Sequence, residues 1–433
     1  MPWSCSGLFS GECSLILTEG DSAKALAVAG LEVVGRQRYG VLPLRGKILN
    51  VRGASARVMQ ANKELNHLVK ALGLQYGRVY QGSVPTVGNT DALSWNAGSA
   101  ELGVHGQGMR YGRVLIMTDQ DHDGAHIKGL LINFFSYFWP SLLEIPGFLQ
   151  HFITPLVKVK QRQSAGKEEM LAFYSLPEHE AWLRSNASER DAPAATGAVK
   201  YYKGLGTNTA AEGREYFKNL DKHRKLFFNA SEMTDASAGG PRLGTSDIID
   251  LAFNKKNARQ RKHWLETRHR RDAFIDPHKP ALSFSEFIDT ELMQFSFADN
   301  VRSLPSVIDG LKPAQRKVLY GCFKKKLVAP QEMKVVQLAG YIAEHTAYHH
   351  GDASLHATII NMAQDYVGSN NLPLLIPSGQ FGTRAKGGVD SASPRYIFTS
   401  LSPLARMLFP EADDPQLKYL VEDGQQVEVG VAL

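Results

Sequence analysis

Short apolar runs that end in acidic residues mark the first third of the chain. Residues 14–18 (SLILT) have the length and apolar character of a buried strand. They feed residues 21–30 (DSAKALAVAG), an alanine-rich stretch that predicts a helix with Gly30 as its C-terminal stop. Residues 114–118 (VLIMT) predict a second buried strand. An apolar helix follows over residues 127–139 and is stopped by Pro140. Residues 63–72 read as one more helix. Strands alternating with helices in this way imply an α/β domain on a parallel sheet.

The pattern then softens and changes. Residues 83–108, 185–196 and 230–246 are rich in Gly, Ser, Asn and Ala and read as loops or linkers. Beyond residue 282 the chain becomes mainly helical. Residues 312–326 form a basic helix with Pro313 just inside its start. Two helices follow at 335–345 and 354–367, then a Gly- and Pro-rich stretch with short apolar strands over 372–401. Three helices and a β-ribbon are the outline of a winged-helix module. The expected organisation is a tail (1–12), an α/β domain (13–160), an extension and linker (161–281) and a mainly α winged-helix domain with a β-ribbon (282–433).

Composition narrows the class only modestly. Among 433 residues, 43% are hydrophobic and 21% charged, which excludes wholesale disorder. Three cysteines without a CxxC pair argue against a zinc site and a disulfide framework, and fit a reducing compartment. The most apolar run, LLINFFSYFW at 130–139, is far short of the roughly 20 residues a bilayer span needs. A net charge of +6 leans towards a polyanionic partner.

The acidic residues carry sharper information. Glu19 ends the first strand, and Asp119, Asp121 and Asp123 follow the second in TDQDHDG. Ligands in open α/β sheets bind outside the carboxyl ends of strands. Alternation along an extended segment would put the three aspartates on one side. Clustered carboxylates repel unless a cation sits among them, and oxygen-only donors suit Mg²⁺. A solvated turn, or a calcium loop lacking the distal Glu of an EF-hand, are the alternatives for DxDxD taken alone.

Basic groups that fit phosphate backbones are Arg45, Lys47, Asn50 and Arg52, then Lys255, Lys256, Arg259, Arg261 and Lys262, then Lys312, Arg316 and Lys317, with His349 and His350 in AYHHGDAS. A solvated helix face is the ordinary reading for any one of them. Tyr396 stands in DSASPRYIFTSL, placed here in a strand, beside Arg395 and downstream of the loop GQFGTRAKGG. A strand tyrosine usually packs. Beside a fixed cation, however, a phenol is a usable covalent nucleophile towards a phosphodiester. A phosphotyrosine ester conserves the broken bond's energy and permits resealing.

These segments together resemble the type IIA DNA topoisomerases. EGDSAKALAVAG and TDQDHDGAHIKGLL are similar to the Toprim domain of that family. YYKGLGT, PSVIDGLKPAQRKVLY, YHHGDASL, VGSNNLPLL, GQFGTR and SASPRYIF are similar to the rest of its cleavage core. Both halves on one chain resemble the eukaryotic branch. The resemblance implies that Glu19, Asp119 and Asp121 bind Mg²⁺, two ions per site, with Asp123 in support and Mn²⁺ or Ca²⁺ as substitutes. It implies that Lys47, Asn50, Lys255, Lys256, Lys312, Tyr348 and Ser354 contact double-stranded DNA, with His349 and His350 near the scissile phosphate. Tyr396 would attack and Arg395 would stabilise the transition state. The family is homodimeric, one protomer's tyrosine working with the other's metal site, and acts in the nucleus, with a mitochondrial location as the alternative.

The family's ATP-hydrolysing domain and C-terminal gate have no counterpart in the motifs found, so ATP would enter only through a domain outside this stretch. The expectation is therefore a truncated cleavage core. A DNA-binding fragment without catalysis and a nuclease of the same metal-binding class are the alternatives.

Overall fold

The computed structural model describes residues 10–82, 108–162, 168–185, 199–202, 204–230, 244–267, 275–348, 350–416, 419–422 and 425–429. The soft stretches at 83–108, 185–196 and 230–246 lie almost wholly outside these residues, as does His349. The chain divides into two compact units, Met1–Ser296 and Phe297–Leu433. Among the described residues no helix is long and apolar enough to cross a membrane.

The first unit is built on a six-stranded sheet. Its strands are β1 (Ser14–Glu19), β2 (Tyr39–Leu44), β3 (Arg113–Met117), β4 (Leu149–Phe152), β8 (Arg224–Phe228) and β9 (Ala281–Ser283), in the spatial order β2-β1-β3-β4-β8-β9. β1 runs parallel to both β2 and β3, and β3 runs parallel to β4, giving the expected parallel sheet. β8 joins antiparallel to β4, and β9 runs parallel to β8, so the sheet draws on residues far beyond 160. Leu15, Ile16 and Leu17 are fully buried, as a strand covered on both faces requires. A smaller antiparallel sheet has β5 (Val157–Arg162) between β6 (Glu168–Phe173) and β7 (Val199–Tyr201).

The first helix departs from expectation in an informative way. α1 spans Gly20–Val34 and runs through Gly30. Its stop is Gly35, whose φ of +84° and N–H bond to the Leu31 carbonyl end the helix. Gly30 is there for packing. A Cβ at that position would lie 2.1 Å from the Phe217 ring on a second helix, Ala210–Lys218. The apolar helix before Pro140 also starts earlier than its apolar run, spanning His122–Phe138, because the Asp121 side chain caps it.

In the second unit, the helix Pro313–Lys325 has Lys312 at its N-cap and Pro313 at its first turn. Helices Val335–His345 and Asp352–Ala363 follow. They pack on an antiparallel sheet with Phe398–Leu401 between Met333–Lys334 and Leu375–Ser378. The core between them includes Val318, Leu319, Leu338, Ile342, Leu355, Ile359 and Leu375. Three helices with a β-ribbon match the expected outline. Cys322 is a free buried thiol in this core. Cys13, in contrast, is disulfide-bonded, which the cysteine spacing did not signal.

The Gly30–Phe217 contact gives a direct test. Gly30→Ala is expected to destabilise the first unit by about 1–3 kcal/mol through overpacking, despite alanine's better helix propensity. Urea unfolding followed by circular dichroism checks it; a stabilised variant would refute the packing role.

Candidate active site

The chain turns to one side of β1 to make β2 and to the other to make β3. Such a switch point opens a crevice at the carboxyl ends of the two diverging strands. Glu19 is the last residue of β1, and Asp119 lies two residues beyond β3. They meet in that crevice: a Glu19 carboxylate oxygen accepts the Asp119 N–H at 3.0 Å. Asp119 in turn accepts the Leu205 N–H at 2.7 Å. Two glycines leave room for it. A Cβ on Gly204 would lie 2.6 Å from an Asp119 carboxylate oxygen, and one on Gly124 would lie 2.0 Å from the Asp119 carbonyl.

The other two aspartates are engaged differently, because the extended segment ends at Met117 and strand alternation does not reach them. The Asp121 carboxylate accepts the Gly124 N–H at 2.7 Å as helix cap. Asp123 lies in the first helical turn and pairs with Lys47 Nζ at 2.6 Å. All three aspartates still act electrostatically on Glu19. Burial first, and the Asp119 carboxylate next, push the Glu19 carboxyl up to about 7. Burial raises Asp119 as well, against the pull of the Leu205 N–H.

Among the described residues no three His, Cys, Asp or Glu side chains are already gathered as a metal cage. Magnesium does not require one: it retains waters and takes one or two carboxylates plus phosphate oxygens. Two half-buried carboxylates whose protons are held too tightly make an electrostatic deficit that a hard cation cancels. The donor set therefore fits Mg²⁺.

The segment carrying Lys47, Asn50 and Arg52 ties this crevice to a basic turn. Asn50 donates to the Phe253 carbonyl at 2.9 Å and accepts from Asn133 at 3.1 Å. Arg52 pairs with Asp250 at 2.7 Å, and the Lys255 stem lies across Gly53. Lys47, Asn50 and Lys255 are thus brought together, and Lys255 and Lys256 are exposed. Arg52 and Arg261 are structural instead, Arg261 donating to the Leu251 and Asn254 carbonyls.

In the second unit Tyr396 lies on a turn just before the strand Phe398–Leu401, not within it, and is 71% exposed. The turn is fastened to a helix start. The first two N–H groups of Val335–His345 donate to the Ile397 and Pro394 carbonyls at 3.0 and 3.1 Å, bracketing the tyrosine. Arg395 is exposed beside it. Buried Gln364 pins the glycine-rich loop by donating to the Phe381 and Gly388 carbonyls. Lys312 caps its helix, Ser354 lies in the exposed first turn of Asp352–Ala363, and the Tyr348 and His350 rings meet edge-on at 5.6 Å. Two basic candidates are structural: Arg316 is locked on Asp309 at 2.8 Å, and buried Lys317 donates to the Thr346 carbonyl.

Three family models match the chain end to end: the Toprim domain over 14–150, the C-terminal associated domain of Toprim over 152–300, and DNA gyrase/topoisomerase IV over 302–431. The chain is 51% identical to DNA topoisomerase 2 of Arabidopsis thaliana over 419 residues, and 51% identical to DNA topoisomerase 2-alpha of Homo sapiens over 433. The chain belongs to the type II DNA topoisomerase family. Those alignments take in 96% and 98% of this chain, which spans about a quarter of the length of either relative (25%). The Plasmodium falciparum topoisomerase II DNA-binding, cleavage and re-ligation domain superposes with a TM-score of 0.72 and 45% identity. That match covers 98% of this chain and 52% of that one.

For this topoisomerase-family chain, sequence reasoning missed the 204–205 support of Asp119. Its signal was the pair of glycines in YKGLGT, which mark a close backbone approach. The Glu19 shift sets a pH test. Below its ordinary 4.5 the group is neutral in folded and unfolded chains alike. Between 4.5 and about 7 the folded chain keeps a proton that the unfolded chain has lost, so stability falls as pH rises, and the penalty is complete above about 7. In EDTA, urea unfolding of the wild type should lose stability from pH 5 to pH 8, and Glu19→Gln should flatten that slope. Parallel profiles would refute the shift.

Proposed function

We propose that this chain is the cleavage core of a type II DNA topoisomerase, a magnesium-dependent isomerase that breaks and rejoins duplex DNA through Tyr396. The observation that carries the reading is an exposed phenol on a turn held at both sides, next to Arg395, in a chain whose other unit gathers Glu19 and Asp119 at a sheet switch point. The Tyr396 oxygen forms a bond to the scissile phosphorus as the bond to a deoxyribose oxygen breaks. The phenol proton ends, in net terms, on the freed deoxyribose hydroxyl. The reverse transfer reseals the strand without added energy. Arg395 supplies a planar cation to the phosphoryl oxygens, where charge builds up in the transition state.

Bound Mg²⁺ would supply Lewis-acid stabilisation of the attacked and departing oxygens. Glu19 and Asp119 would hold it, with Asp121 and Asp123 close by. Lys47, Asn50, Lys255 and Lys256 on the first unit, and Lys312, Tyr348, His349, His350 and Ser354 on the second, would position the duplex through its backbone. In the whole enzyme we place this core in a homodimer in the nucleus. Each protomer's tyrosine works there with its partner's carboxylates, and ATP drives passage of a second duplex.

Trapping on supercoiled DNA tests the reading. With Mg²⁺ and rapid denaturation, wild type should yield DNA-linked protein and Tyr396→Phe none. Arg395→Ala should lower adduct formation by about 10²–10³-fold, as loss of a transition-state donor does. Free DNA ends without adduct would indicate a nuclease. Binding without cleavage in the wild type would reduce the chain to a DNA-binding module.

A further inference from the structure

Asp119 depends on a backbone N–H from a loop, so what holds that loop holds the carboxylate. The loop runs over 202–209, between β7 and the helix Ala210–Lys218. Glu212, on the first turn of that helix, reaches both of its ends. One carboxylate oxygen accepts the Tyr202 hydroxyl and Lys158 Nζ, the latter at 3.3 Å. The other accepts the Thr209 N–H at 2.8 Å and the Thr209 hydroxyl at 3.1 Å, and Lys200 Nζ lies 3.2 Å away. The Tyr202 N–H is anchored separately on the Leu156 carbonyl at 2.9 Å.

The same helix grips the middle of the loop. The Tyr216 hydroxyl donates to Asn208 at 2.9 Å, and Asn208 donates through both its backbone and side chain to the Leu205 carbonyl at 3.2 Å. Leu205 is the residue whose N–H holds Asp119. The network is largely dry: Tyr202 is 5% and Tyr216 2% exposed. Burial alone would raise the Glu212 carboxyl, but the Thr209 N–H, the Tyr202 hydroxyl and the lysines bring it down to about 2.

We propose that Glu212 is a positioning residue for the metal-binding carboxylate Asp119, fixing through Tyr202 and Thr209 the loop whose Leu205 N–H orients it. This rests on the reading that Asp119 takes part in divalent-metal binding. An ordinary capping box would only stabilise its helix; a positioning role couples Glu212 to the metal.

The experiment is Mn²⁺ binding to the full 433-residue chain by electron paramagnetic resonance, with thermal melts run alongside. Glu212→Ala is expected to weaken Mn²⁺ binding about 10-fold, as loss of an outer support does. In an Asp119→Asn background the same substitution should add little, because the carboxylate it orients is already gone. Tyr202→Phe deletes a single oxygen and should weaken binding in the same direction with an intact fold, which keeps the test valid if Glu212→Ala melts early. Wild-type affinity in both single variants, or effects of Glu212→Ala and Asp119→Asn that simply multiply, would overturn the inference. No Mn²⁺ binding by the wild type would overturn the metal reading itself, and the inference with it.

Discussion

Repulsion between Glu19 and Asp119 is the constraint around which the first unit is arranged. Parallel strands that part company leave a crevice, and the sequence fills it with like charges. Half-burial makes their ionised forms harder to hold, which is why Glu19 keeps its proton to about pH 7. Backbone N–H groups absorb part of that cost: Asp119 itself donates to Glu19, and Leu205 donates to Asp119. What they leave uncompensated is what selects a cation. The loop, its two glycines and the network behind it follow from keeping two repelling groups in one place.

The second unit solves a different problem, presenting a reactive group without losing control of its backbone. Tyr396 is exposed, yet the carbonyls on either side of it satisfy the start of a helix. The helix end needs acceptors, and the turn needs fixing; one arrangement answers both. Gln364 does the same for the adjoining glycine-rich loop from a buried position.

Much of this was legible in the sequence, because strand runs ending in acids and a basic helix with proline at its start are local signals. Glu19 and Asp119 could be placed together from the strand pattern alone. The parts that failed depended on partners distant in the chain. Arg52 resembles a phosphate contact until Asp250, nearly two hundred residues on, claims it. Arg316 and Lys317 look alike in sequence to Lys312, but one is bound to Asp309 and the other is buried on Thr346. Gly30 read as a helix stop because its real partner, the Phe217 ring, cannot be seen from the helix's own residues. Asp121 and Asp123 left the strand's alternation because a helix cap took over after Met117.

The contact between Gly30 and Phe217 has a consequence for cooperativity. The helix that contains Gly30 begins where Glu19 ends its strand, and the helix that contains Phe217 carries Glu212 and the grip on the Asp119 loop. One side of the acidic pair and the support of the other are therefore clamped in a single rigid body. Sub-global opening cannot loosen one carboxylate while sparing the other. The site is lost as a whole or kept as a whole, and a residue with no side chain sets the closeness of the two helices that makes it so.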